Sequence, residues 1–399
     1  MLSEKTIEIV KSTAPVLEMK GKEITTYFYK HLFEKYPELL NIFNHANQSK
    51  GRQQTALANT VYAAAKYIDQ LEVIVPVVKQ IAHKHRSLGI KPEHYPIVGE
   101  NLLIAIKEVL GDAATDDIIN AWGEAYGVIA QVFIDVEAGM YKEAEEQEYG
   151  WADFKELLVA KKEEESSLIT SFYLRPKDGS GVPGYLPGQY ITVRLRIPGE
   201  EYIMNRQYSL SCAPNGDYFR ISVKREADQE PRGKVSNYLH DSIQEGDTIE
   251  VSAPAGDFFL NTEEDRPVAL ISGGVGITPM MSMLESLANE NSKREITFIQ
   301  AARDEKAHAF KEEVKEHISK LENAKAYIAY ENKDENTVCD HEGYINEEFL
   351  RKVIADGSVC YVCGPVLFMQ SIVSSLKALG IDEGNIRFEF FGPAMVLQA

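Results

Sequence analysis

The spacing of apolar residues changes twice along this chain of 399 residues, and three successive spacings exclude a single core of one architecture. From the start to about Tyr149, apolar residues recur at three and four. That is the repeat of a helix with one buried stripe. It predicts helices over Glu4–Met19, Gly21–Lys35, Arg52–Asp69, Leu71–Ser87, Glu93–Leu110 and Thr115 to about Gln147, with Pro37, Gly51, Gly89, Pro92 and Gly111 at their ends. After the acidic run Glu143 to Glu148 the apolar segments shorten and alternate: Leu157–Val159, Leu168–Leu174, Tyr190–Ile197, Tyr218–Lys224 and Asp247–Val251, with turns at Pro187-Gly188 and Asn215-Gly216. An antiparallel β-barrel follows. From Pro267, apolar runs Val268–Ile271, Ile296–Ile299, Lys325–Tyr330 and Val359–Val362 alternate with helical stretches, which predicts a parallel α/β sheet.

Charge narrows the partners. Lys plus Arg number 42 against 61 Asp plus Glu, a formal charge of −19 that repels phosphate backbones and anionic lipid alike. No nucleic acid or membrane partner is expected. The apolar runs fall far short of the roughly 20 residues that cross a bilayer, and the first residues contain no signal-peptide core. The four cysteines, Cys212, Cys339, Cys360 and Cys363, are too few and too clustered for a disulfide framework. These features predict a cytoplasmic protein, expected to act as a monomer.

Within Leu71–Ser87, helical geometry places Ile74, Val78, Ala82 and His85 on one apolar face and turns His83 and Lys84 elsewhere. A lone inward histidine is more often a satisfied core residue than a ligand. Other residues change its meaning. Gln53 and Leu57 stand four apart on another helix, Tyr29 lies near the end of a second, Phe43 follows Pro37, Tyr95 begins a helix ten residues beyond His85, and Glu137 sits late in the long helix. Each alone is explained by packing or surface. Together, at these separations, they resemble a globin. The resemblance implies a non-covalent haem b, since no Cys-x-x-Cys-His is present. His85 would be the proximal iron ligand, with Tyr95 and Glu137 behind it fixing its tautomer and strengthening its donation. Phe43 would pack on the porphyrin, with Tyr29, Gln53 and Leu57 as distal donor, polar companion and apolar wall.

In the middle third stands Arg206-Gln207-Tyr208-Ser209, preceded by Pro187-Gly188-Gln189-Tyr190 and followed by Gly233-Lys234-Val235-Ser236. A flavin dinucleotide needs a cation for its pyrophosphate, aromatic or hydroxyl groups along its ring, and backbone N–H groups at a helix start. In this order the segments resemble the FAD domains of the ferredoxin reductase family. Farther on, the strand Val268–Ile271 runs into Gly273-Gly274-Val275-Gly276-Ile277-Thr278 before a helix. Glycines at a strand-to-helix turn let backbone approach a pyrophosphate, although this is not the Gly-x-Gly-x-x-Gly of ordinary dehydrogenases. It resembles the reductase-type nicotinamide domain, in which Cys363-Gly364-Pro365 would lie where nicotinamide approaches flavin. Cys360 and Cys363 lie along a strand rather than opening a helix, which argues against a redox disulfide. The tail Glu389-Phe390-Phe391-Gly392-Pro393 resembles the family segment whose aromatic covers the flavin, its bland reading being a terminal strand with core aromatics.

The whole chain resembles a flavohaemoglobin. That implies a globin over 1–138, a linker over 139–151, an FAD barrel over 152–262 and an NAD(P) domain over 267–399. It also implies nitric oxide dioxygenase activity: NAD(P)H reduces FAD, FAD reduces haem iron, and bound oxygen converts nitric oxide to nitrate. Lys84 and Glu389 match positions between modules, where they would tune electron transfer. Two alternatives are an oxygen-binding or oxygen-sensing globin whose reductase keeps iron ferrous, and a flavin-dependent ferric or peroxide reductase that needs no His85. Tyr29 and Glu137 weigh against the first.

Overall fold

Helix α1 (Glu4–Ser12) begins where the Ser3 hydroxyl accepts the Thr6 amide at 3.1 Å. It ends at Thr13, whose hydroxyl donates to the Val10 carbonyl (2.6 Å) and accepts from the Trp122 indole (3.1 Å). Pro15 then sets the first turn of α2 (Ala14–Lys35). The first break therefore falls at Thr13 rather than near Lys20 as the periodicity predicts. Gly21 lies inside α2, where an added Cβ would stand 3.3 Å from the Ala58 Cβ of α3 (Arg52–Lys66), so glycine there brings two helices together. After a tight turn at Leu71–Ile74 come α4 (Val75–Leu88), α5 (His94–Leu110) and α6 (Asp116–Glu146). Their apolar stripes, including Ile24, Phe28, Leu32, Ile106 and Trp122, meet in one core.

This computed structural model describes residues 2–43, 48, 50–227, 230–335 and 337–392. In the second module β1 (Phe154–Glu164), β2 (Ile169–Arg175), β3 (Tyr190–Leu195), β4 (Met204–Ser209), β5 (Phe219–Lys224) and β6 (Thr248–Ser252) form an antiparallel sheet in the order β4-β3-β6-β1-β2-β5. A bridge between Leu210 and Ile221 joins its two edges and closes the barrel. Strand β4 was not singled out by alternation, because its residues Asn205 to Gln207 are polar. Helix α7 (Lys234–Asp241) follows β5.

The third module alternates β7 (Val268–Gly273), α8 (Ile277–Asn289), β8 (Ile296–Ala302), α9 (Lys311–Ser319), β9 (Ala324–Tyr330), β10 (His341–Glu342), α10 (Glu347–Val353), β11 (Val359–Cys363), α11 (Val366–Ala378) and β12 (Ile386–Glu389). The six strands are parallel, in the order β10-β9-β8-β7-β11-β12. Every residue of β7 and β11 is buried, as expected of strands covered on both faces. The order reverses at β7, so the crevice at its carboxyl end, shared with β11, is a topological switch point. Among the described residues no helix is long and apolar enough to cross a membrane.

Helix α4 is buried on two faces, not one. Its second face meets the barrel, where the buried Arg86 guanidinium donates to the Ala253 carbonyl at 3.2 Å and to the Pro254 carbonyl. Ser87 accepts a hydrogen bond from the Gln207 amide at 3.0 Å. Farther along the seam, the Asn205 amide donates to the carbonyls of Asn41 (2.8 Å) and Ile42 (3.0 Å). Arg86→Met would keep much of the volume but leave two carbonyls without their donor, at about 1–3 kcal/mol for a buried acceptor. The thermal midpoint of the full chain should fall, and limited proteolysis between 147 and 151 should accelerate.

Candidate functional site

His85 leaves α4 toward a cluster built by α5 and α6. Its Nδ1 lies 2.7 Å from Glu137 Oε1, so the N–H donates and the carboxylate accepts. The Tyr95 hydroxyl donates to the same oxygen at 2.6 Å and lies 3.2 Å from Nδ1. Burial, and then the Glu137 charge, raise the Tyr95 phenol far above its ordinary value, so it holds its proton as a donor. Tyr126, which the sequence shows only as part of an apolar stripe, donates from its hydroxyl to the Tyr95 carbonyl at 2.6 Å and fixes the start of α5. With Nδ1 committed, the His85 lone pair is on Nε2, which makes no hydrogen bond among the described residues. The side chain remains 32% exposed in the middle of a helical module. Such an imidazole, oriented from behind and open in front, fits an iron ligand.

Tyr29 is buried on α2, stacked on Phe33 and edge-on to Phe43, each at 5.8 Å between ring centres. Burial raises its phenol, and a hydrogen bond with the Gln53 side chain partly offsets this. Leu57, one turn beyond Gln53, packs against the same core. The expected pairing of a buried hydroxyl with an amide is thus formed.

The other candidates gather on the far side of α4. Strands β3 and β4 pair so that Tyr190 faces Ser209 and Ile191 faces Tyr208, which brings the two sequence segments into register. The Arg206 guanidinium is largely desolvated, yet donates only to the Asn205 carbonyl, at 2.7 Å. Among the described residues no carboxylate pairs with it, and a mostly buried cation without a counter-charge fits a pyrophosphate. Gly233 precedes α7, whose first residues include Lys234 and Ser236. Lys234 pairs with Glu200 at 2.7 Å and Val235 packs into the barrel core, so backbone N–H groups are what this segment offers an anion.

The glycine-rich turn after β7 and the Cys-Gly-Pro turn after β11 lie against each other. An added Cβ at Gly276 would stand 2.2 Å from the Cys363 carbonyl oxygen and 2.7 Å from the Gly364 nitrogen. Glycine at 276 is therefore dictated by the second turn, a reason different from the pyrophosphate approach read from the sequence. Gly274, at φ +54°, has open space instead. Val275, Ile277 and Thr278 carry the chain into α8, where the Thr278 hydroxyl donates to the Val275 carbonyl at 3.1 Å. Gly273 ends β7, and Pro365 precedes α11. Cys360 and Cys363 are free thiols. Burial pushes Cys360 up to about 12 and Cys363 well above its ordinary value, so neither offers thiolate.

Cys363 pairs with Glu389 across β11 and β12, which carries the tail to this same crevice. Phe390 packs into the core and Phe391 is 46% exposed, so only the second aromatic is free to cover a neighbour. Lys84 donates to the Gly392 carbonyl at 2.7 Å, tying α4 to the tail. Glu389 is pushed up to about 7, chiefly by burial; Lys84 opposes the rise and Asp257 adds to it. Pro393 lies outside the described residues. Sequence reasoning missed Arg86 and Ser87, because a repeat of 3.6 assigns the second face of α4 to solvent, and Asp257, because it lies in an irregular segment after β6 with no repeat to mark it.

The globin family model matches residues 26–133, the oxidoreductase FAD-binding domain model 156–260 and the oxidoreductase NAD-binding domain model 270–374. A flavohemoprotein of Bacillus cereus is 59% identical over 404 residues, covering 100% of both chains, and one of Bacillus subtilis 52% identical over 401 residues, covering 100% of this chain and 99% of its own. The crystal structure of a flavohemoglobin from Malassezia yamatoensis, with bound FAD and heme, superposes with a TM-score of 0.86 at 29% identity over 98% of this chain and 100% of that one. The FAD/NAD-binding domain of a nitric oxide dioxygenase from Vibrio cholerae covers 60% of this chain and 99% of its own at 40% identity, with a TM-score of 0.56. Three modules in this order, matched along the full length by relatives more than half identical, place the chain in the flavohaemoprotein family of oxidoreductases, to which it belongs.

Proposed function

We propose that the chain is an NAD(P)H-dependent nitric oxide dioxygenase, with nitric oxide and molecular oxygen as substrates and nitrate as product. The observation that carries this reading is the run Lys84-His85-Arg86-Ser87 on one turn of α4. His85 opens on one side of the helix, while Lys84, Arg86 and Ser87 contact the tail and the barrel on the other. A path for single electrons between two redox groups needs such a short, packed connection. The activity named for the Vibrio cholerae relative supports the same reading. Its modules would be residues 1–138, 152–262 and 267–399, joined through 139–151.

When bound, non-covalent haem b, FAD and NAD(P)H supply the redox chemistry: a two-electron donor, a flavin that divides the pair, and an iron centre that takes one electron at a time. The chain's own residues hold and orient them. His85 Nε2 is the iron ligand, and Glu137 with Tyr95 keeps its Nδ1 protonated and raises its basicity. Tyr29 is the distal donor, oriented by Gln53, with Phe43 and Leu57 keeping water out. Arg206 takes the flavin pyrophosphate with the backbone of Gly233 to Ser236, and Tyr190, Tyr208 and Ser209 line the ring. Gln207 holds the barrel to α4 through Ser87. Gly273 to Thr278 and Cys363 to Pro365 receive the nicotinamide nucleotide, with Phe391 and its neighbours Phe390 and Gly392 at the flavin face. Glu389, close to neutrality in its proton affinity, gains or loses a proton beside this crevice and answers to Lys84.

His85→Ala should abolish nitrate formation from nitric oxide in air while cytochrome c reduction by the flavin module persists. Retained NADH oxidation with unchanged acceptor turnover but no nitrate in the unaltered protein would favour oxygen binding instead. Glu137→Gln weakens the proximal hydrogen bond, and an effect of about tenfold or more on nitrate turnover is expected. The Glu389 carboxyl is neutral below about pH 7 and anionic above it. Stopped-flow electron transfer from flavin to haem should therefore show an inflection near pH 7 that Glu389→Gln removes. Lys84→Met should move that inflection to higher pH, because the ammonium group opposes the rise.

A further inference from the structure

Where the barrel meets the parallel sheet, Glu285 on α8 and Glu313 and His317 on α9 converge, their ligand atoms all within 4.8 Å of one another. Glu313 and His317 stand one turn apart, so both side chains leave the same face of α9. We propose that these three residues form a binding site for a zinc-class divalent cation at this seam.

Two independent observations point to a missing positive charge. First, among the described residues one carboxylate is left without a cation. Arg220 of the barrel grips Glu313, from Nη2 to Oε1 at 2.7 Å and from Nη1 to Oε2 at 2.8 Å. Glu285 accepts only the Ala213 backbone N–H, at 2.7 Å, and no cationic side chain pairs with it among the described residues. The guanidinium thus serves Glu313 and leaves Glu285 with a backbone donor alone. Second, His317 is 6% exposed, and both of its ring nitrogens are buried without a hydrogen-bond partner. Its Nε2 points at Glu313 Oε1 from 3.5 Å, too long for a good hydrogen bond. A buried polar atom left in this state is costly unless something binds it.

One imidazole and two carboxylate oxygens are a donor set that zinc accepts, with a water completing four ligands. Zinc bonds of about 2.0–2.1 Å put neighbouring donors roughly 3.4 Å apart, so the side chains need to close by about 1 Å. Arg220 can keep Glu313 Oε2 and the Ser211 carbonyl, to which its Nε donates at 3.2 Å, while Oε1 turns to the metal. The ligands all belong to the nucleotide-binding module, but Ala213 and Arg220 belong to the barrel. A bound cation therefore stiffens the contact between the two.

The test uses the full-length holoprotein, dialysed against chelator and then equilibrated with zinc ion alone. Metal analysis should find one zinc per chain that Glu285→Gln and His317→Gln each lose, with affinity reduced by more than the roughly tenfold cost of an outer-shell partner. Anomalous scattering at the zinc edge should place the ion between the two helices. Equal zinc retention in all three proteins, or none in the unaltered one, overturns the proposal. If His317→Gln does not fold, Glu285→Gln alone decides it by the same measurement.

Discussion

A guanidinium buried between a helix and two barrel carbonyls joins the modules of this protein. Among the described residues Arg86 has no carboxylate partner, and its charge is held by the dipoles of Ala253 and Pro254. Without that contact α4 would be an ordinary amphipathic helix with one wet face. With it, the helix is gripped on both sides, and the orientation of His85 toward Glu137 is set by the same rigid rod that positions Lys84 against the tail and Ser87 against the barrel. One secondary-structure element thereby transmits position between two cores that share no side chains of their own.

The charges around this rod are arranged by burial more than by pairing. Glu137 is sheltered and receives two donors, Tyr95 and His85, so its oxygen is satisfied without a cation. Glu389 is less sheltered, and Lys84, which opposes the rise in its proton affinity, donates its ammonium to a backbone carbonyl instead. Glu137 is thus held by two donors, while Glu389 owes its raised proton affinity chiefly to burial.

Much of this was legible beforehand. The shift from spacings of three and four to alternation, and then to buried runs between helices, marks the three architectures, because each repeat reflects the geometry of its own element. His85 meets Tyr95 and Glu137, and Tyr29 meets Gln53, residues the sequence already singled out together. The glycine-rich and Cys-Gly-Pro turns were recognised as places of close approach, although Gly276 is small because Cys363 lies against it. The boundary at Thr13 was missed, since the helical repeat passes through it in phase and only the hydroxyl contact with Trp122 distinguishes it. Strand β4 was hidden by its polar residues, of which Asn205 and Gln207 face the helical module rather than solvent.

The order of modules, the stripe that carries His85 and the motifs at strand ends are properties of the sequence by itself, because each depends on residues near one another in the chain. Which side chains meet across modules is not. Arg86 with Ala253, Lys84 with Gly392, and Arg220 with Glu313 are joined by segments far apart in sequence. A local repeat cannot distinguish a face turned to water from one turned to another domain, since both are polar. Only the tertiary packing, by removing water from those faces, decided which polar residues act on one another.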